Sequence, residues 1–211
     1  NAEELVTNVL INNPCIEITN VTSSTGTNYG SANGIGFFTN TNSSFPLSSG
    51  IILSTGNAMN SPGPNTTNLS DGASSWTGDT ELENIITTAT GNVMNSFNAT
   101  KLEFDFTSLN EFMSFNFLFA SDEYGTFQCT FSDAFAFLLT DMVTGTTTNL
   151  AVVPGTTTPV SVVTIRDVLY NAGCSSQNPD FFDNYNGNGN EYNSASNFNG
   201  QTVLMTASSA I

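Results

Sequence analysis

Histidine is missing altogether, and Lys101 and Arg166 are the only side-chain cations against 18 Asp and Glu, for a formal net charge of −16. Each shortage excludes something. Without an imidazole, a serine or cysteine nucleophile has no histidine base to activate it. General acid–base and phosphoryl chemistry are poorly provided for. The three cysteines form no CxxC pair, so a zinc site is not expected either. Two cations are too few to follow a phosphate backbone, which sets nucleic acid aside, and an anionic membrane surface repels a chain of this charge. No apolar run is long enough to cross a bilayer. The chain shows no signal peptide and begins at Asn1 rather than Met, as expected where an export signal lies outside this sequence.

What is present is aromatic and polar but uncharged. Seventeen Phe and 38% hydrophobic residues separate the chain from disordered sequences, while Asn, Thr, Ser and Gly supply solubility. The 211 residues suffice for a single β domain, 1–211, with a sizeable core. A compact body this acidic repels itself unless counter-ions or bound metal offset the charge.

Along the chain, NAEELVTNVLIN has helical spacing, an Asn1–Glu4 capping box, and a stop at Asn13-Pro14. Period-two runs follow: CIEITNVTS, GIGFF and GIILST. Residues 57–79 read as a long irregular loop carrying Asp71, Trp76 and Asp79. Asp79 is a good N-cap for a second helix, TELENIITTAT. The strongest strand runs are residues 101–108, 112–121, 133–141 and 148–155. SVVTIRDVLY (161–170) reads as strand at first and is ambiguous after Arg166, residues 171–200 read as loop, and QTVLMTAS as a last strand. Many short strands, two short helices and long loops predict an all-β fold, a jelly-roll-like β-sandwich with Phe-rich inner faces.

The segment FASDEYGTFQCTFSDAFAF (119–137) sets Asp122, Glu123 and Asp133 beside a hydrophobic run with no cation in it. If runs 112–121 and 133–141 pair as a hairpin, the three acids gather at one sheet end. Clustered carboxylates stay solvated, take up protons or bind a metal. An all-oxygen set suits Ca²⁺, to which Asp71, Asp79 and Glu81 could add ligands. Calcium and solvated loop acids both stay open, as do cap and ligand for Asp79. Asp105 reads as a solvent-facing strand residue.

Cys129 and Cys174 each follow a strand-like run and open a polar loop, which predicts a disulfide between them in an exported protein. It would close a loop of about 45 residues, worth roughly 4 kcal/mol in the chain-entropy model. Cys15 is left over, either free or paired outside this segment; three free thiols in a cytosolic protein is the competing reading.

ELVTNVL, IEITNVT, GIILSTG, GDTEL, LEFDFTS, FNFLFASDEY, FSDAFAFLL, NLAVVPGTTTPVSV and FNGQTVLMTAS, in that order over nearly the whole chain, resemble the choice-of-anchor L domain. The resemblance implies an exported bacterial surface protein with no catalytic motif. Its Asn/Thr-rich dialect is similar to that of Bacteroidota, which implies export by the type IX route and gliding-motility machinery as a partner. Members continue past the TVLMTA strand, so the resemblance also implies a fragment lacking a strand or two after Ile211.

The expected function is therefore a non-catalytic adhesion or display module at the cell surface, its loops stabilised by calcium. The alternative is a calcium-dependent carbohydrate-binding module, with Trp76 and Tyr124, along with Tyr185 and Tyr192, as loop aromatics for surface glycans; burial of each at the base of its loop is the competing and preferred reading. A two-carboxylate glycosidase is the third reading and the least favoured.

Overall fold

The capping box forms at the first residue. In the computed structural model the Asn1 side chain accepts the Glu4 N–H at 2.9 Å, and the Glu4 carboxylate takes the terminal amine at 3.0 Å. This starts α1 (Ala2–Leu5), which widens into a π-turn over Val6–Leu10 that buries Val6. The structure describes residues 1–26 and 33–211. They form two units, one of Asn1–Pro62, Leu69–Asp79 and Asn95–Glu111, the other of Gly63–Asn68, Thr80–Met94 and Phe112–Ile211.

The first unit holds β1 (Ile16–Ser24), β2 (Ile35–Thr39), β3 (Ser49–Leu53) and β4 (Lys101–Ser108), paired antiparallel as β1 with β4 and β2 with β3. The β1–β4 ladder slips between Thr19 and Thr22, where Asn20 takes a φ of +52°. From that bulge the Asn20 amide donates to Asp105 Oδ2 at 2.6 Å, so Asp105 serves the sheet. Trp76 is buried, its indole N–H donating to the Ala99 carbonyl at 2.7 Å.

The second unit holds α2 (Thr80–Thr90) and nine short strands: β5 (Phe112–Phe117), β6 (Ala120–Ser121), β7 (Ala134–Phe135), β8 (Leu138–Thr140), β9 (Thr147–Asn149), β10 (Val160–Ser161), β11 (Phe182–Tyr185), β12 (Gly200–Thr202) and β13 (Met205–Ala210). The chain is all-β in class. Long runs in the sequence are cut where a side chain replaces a ladder bond. Phe119 N–H donates to the Thr202 hydroxyl at 3.1 Å between β5 and β6, and Phe137 N–H donates to Asn149 Oδ1 at 3.1 Å between β7 and β8.

Runs 112–121 and 133–141 form no hairpin with each other. Instead β5 pairs with β13, β6 with β12, β7 with β10, and β8 with β9. The two runs meet through side chains: Phe115 lies 4.9 Å from Phe137, and Phe117 5.4 Å from Phe135, between ring centres. The buried cluster is Phe119, Tyr124, Val153, Val160, Val162, Ile165 and Met205, with Phe117, Phe135, Phe181 and Phe182 against it. Aliphatic side chains thus share the centre with rings, where sequence reading expected mainly Phe. The strand expected at the start of 161–170 stops at Ser161 and turns, because Ser161 N–H donates to the Thr164 hydroxyl at 2.9 Å and Ile165 N–H to the Ser161 carbonyl at 3.0 Å. That turn drives Val162 and Ile165 into the core.

Candidate functional site

The short β6 ends on Ser121, and the acids of the 119–137 segment assemble around this residue. Its hydroxyl donates to Asp133 Oδ2 at 2.7 Å and accepts the Glu123 N–H at 3.0 Å. Asp122 turns to the start of β12: Asn199 N–H donates to its Oδ1 at 3.1 Å, and the Asn199 amide donates to its carbonyl at 2.6 Å. The hairpin expected to gather Asp122, Glu123 and Asp133 is absent: Ser121 links the Asp133 carboxyl to the Glu123 main chain, and the Asp122 carboxylate faces Asn199.

Burial raises the Asp133 carboxyl above its ordinary range, with the Ser121 hydrogen bond opposing. Glu123 is pushed up to about 7, first by burial and then by the charges of Asp133 and Asp122. Neither Glu123 nor Asp133 touches a cation among the described residues. Lys101 pairs with Asp79 at 3.0 Å, and the Arg166 guanidinium donates to the carbonyls of Gln128 and Ser175, both at 3.0 Å. Tyr124 is fully buried, and its hydroxyl, raised by burial and by the Asp133 charge, has no hydrogen-bond partner.

The next residues are tied to the 166–174 segment. Gly125 N–H donates to Gln128 Oε1 at 3.1 Å, Gln128 Nε2 to the Asp167 carbonyl at 2.9 Å, and Asn171 Nδ2 to the carbonyls of Gly125 and Thr126 at 2.9 and 3.1 Å. Cys129 and Cys174 close the tie as the disulfide expected from sequence, with Cα atoms 5.5 Å apart. Gly125, at φ +76°, lies where a Cβ would strike the Tyr185 ring.

The other residues expected to hold metal stand as follows. Asp71 and Asp79 belong to the first unit, where Asp71 accepts from Asn60 Nδ2 at 2.6 Å and Asp79 pairs with Lys101. Glu81 lies in the first turn of α2, in the second unit. Among the described residues, no three His, Cys, Asp or Glu side chains converge to hold an ion. Of the two readings open for Trp76 and Tyr124, ligand-facing or buried, burial is the one found: both rings are buried, so neither faces a ligand. Tyr192 is exposed. Cys15 is free and exposed.

Sequence reading missed Ser121, Gln128, Asn171 and Asn199, uncharged residues whose roles exist only once distant loops meet. The aromatic spacing around Cys129 did carry a signal, since Phe127 and Phe131 are one turn apart and stack at the surface with ring centres 6.0 Å apart. A shallow depression lined by Thr7, Ile11, Asn12, Asn13, Pro14, Ile16 and Ile18 carries no acid or base.

Compared with known families, residues 1–211 match the model of the Choice-of-anchor L domain. The chain belongs to the choice-of-anchor L family. No curated protein and no solved structure matches it. A choice-of-anchor L domain is a cell-surface module, and membership assigns the chain to a surface-anchored or exported protein. Among the described residues, no helix is long and apolar enough to cross a membrane. In this choice-of-anchor L domain, most polar groups of the acidic segment hold loops together.

Proposed function

We propose that this choice-of-anchor L domain is a non-catalytic adhesion or display module within a larger exported bacterial protein. The type IX route and gliding-motility machinery are the export system and partner that this reading names. The observation that carries it is the use of the site's polar groups: Asp122 on Asn199, Ser121 on Asp133, Gln128 on Gly125 and Asp167. These bonds and the Cys129–Cys174 disulfide hold a shape for presentation.

Calcium is the proposed stabiliser of these loops. Since no three acidic side chains converge, an ion at the Ser121 cluster would take at most two carboxylates and complete its six to eight oxygens from hydroxyls, carbonyls and water. The partnerless Tyr124 hydroxyl, within the field of Asp133, supports the fit. The carbohydrate-binding alternative loses Trp76 and Tyr124 to burial and would have to rest on Tyr192.

The test coats beads with the purified chain and scores their adhesion to cells and to immobilised glycans, beside a hydrolysis screen of model glycosides. Adhesion without turnover is expected. Hydrolysis that disappears in Asp122→Ala would replace this reading with an enzymatic one, and binding confined to one glycan class would favour the carbohydrate module.

A further inference from the structure

Four large apolar side chains stand in solvent on the disulfide-tied segments: Phe127 at 39% exposure, Phe131 at 56%, Val168 at 40% and Leu169 at 80%. Single exposed apolar residues are unremarkable, but an edge-to-face aromatic pair and two aliphatic residues on a second segment bonded to the first mark an interaction surface. Its support is unusually complete. Gln128, between the two rings in sequence, is fully buried and bonded to Gly125 and Asp167, and Cys129 is covalently fixed. A surface held this way loses little conformational freedom on binding.

Charge selects the occupant. The chain stands at −16, and residues 121–133 and 166–171 carry Asp122 and Asp167, with Glu123 and Asp133 raised by burial, against the Arg166 guanidinium, which is turned onto main-chain carbonyls. A second copy, at −16, and an anionic bilayer are both repelled. Phe, Val and Leu offer sugar hydroxyls no hydrogen-bonding atom. What remains is apolar contact ringed by positive charge. We propose that Phe127, Phe131, Val168 and Leu169 form the docking face for a partner protein segment that combines apolar side chains with Lys or Arg. This deepens the adhesion reading and rests on it for biological context, but the contact itself can be measured separately. Electrostatic attraction speeds the encounter and the rings supply the desolvated centre.

The test uses the oxidised full chain in chelator, which separates it from the calcium proposal. The probes are three synthetic peptides of equal length built from Lys and Leu, Lys and Ser, or Glu and Leu. Affinity is read by fluorescence anisotropy and location by amide chemical shifts. The Lys/Leu peptide is expected to bind, to shift residues 124–133 and 166–171, and to lose about tenfold or more in affinity with Phe127→Ser/Phe131→Ser, the loss expected of two buried interface anchors. Leu169→Ser, in the other segment, should weaken it independently, and guards against misfolding of the double variant. Equal binding of Lys/Ser and Lys/Leu, affinity unchanged in both variants, or shifts lying elsewhere would overturn the proposal. Failure here with adhesion intact would leave the surface-module reading standing.

Discussion

Ser121 and Asp133, twelve residues apart, share a 2.7 Å hydrogen bond that is the only one to the buried Asp133 carboxyl among the described residues. The same hydroxyl accepts the Glu123 N–H, so one serine ties the Asp133 carboxyl to the main chain at Glu123. Ser121→Ala removes both contacts without adding bulk. Unfolding in urea should show a loss of about 1–3 kcal/mol, the usual effect of stranding a buried polar group. An unchanged midpoint would mean that the two acids are held by other means.

The acids make stability depend on pH with a definite sign. Burial raises both Asp133 and Glu123, the latter from 4.5 to about 7, so the folded state holds protons more tightly than the unfolded chain. The Glu123 contribution is fully present below its unfolded value of 4.5 and is lost as pH rises through about 7, and Asp133 acts in the same sense. Without added metal, the protein should therefore be more stable at pH 5 than at pH 8, and Glu123→Gln should flatten the difference. Asp141, held low by the Val143 N–H and by Thr144, acts in the opposite sense, only in stronger acid.

Reducing Cys129–Cys174 tests the brace. The bond spans 45 residues, and its loss should cost about 4 kcal/mol in the chain-entropy model. Cys129→Ser/Cys174→Ser should show the same loss, and faster amide exchange at 125–131 and 166–174. Exchange unchanged in those segments would mean that the hydrogen bonds alone suffice.

Two glycines separate backbone from packing. Gly125 and Gly155 have nearly equal φ values, +76° and +78°, but a Cβ on Gly125 meets Tyr185 while one on Gly155 meets nothing within 4 Å. Gly155→Ala should cost only the left-handed penalty of about 1–2 kcal/mol. Gly125→Ala should cost clearly more, measured as a lower melting temperature.

How far the sequence spoke can be traced residue by residue. The Asn1–Glu4 cap, the extent of β4 and the disulfide were legible, because each follows from local chemistry or from spacing along a strand. The hairpin expected to gather Asp122, Glu123 and Asp133 was a misreading, since β6 pairs with β12 and Asp122 faces Asn199. A strand run does not reveal that Thr202 and Asn149 will intercept the Phe119 and Phe137 N–H groups. For Trp76 and Tyr124 both exposure and burial stood open, with burial preferred; the outcome is burial, which segments distant in sequence decide. Gln128 carried no local mark, since its two partners belong to different loops.

The most direct measurement is the melting temperature at pH 7.5 with calcium and with chelator, in wild type and in Asp133→Asn. An ion that binds only the folded chain stabilises it by about 2.7 kcal/mol at a hundred times its dissociation constant. The account predicts a rise with calcium that chelator reverses and Asp133→Asn abolishes. A melting temperature indifferent to calcium and chelator would contradict it.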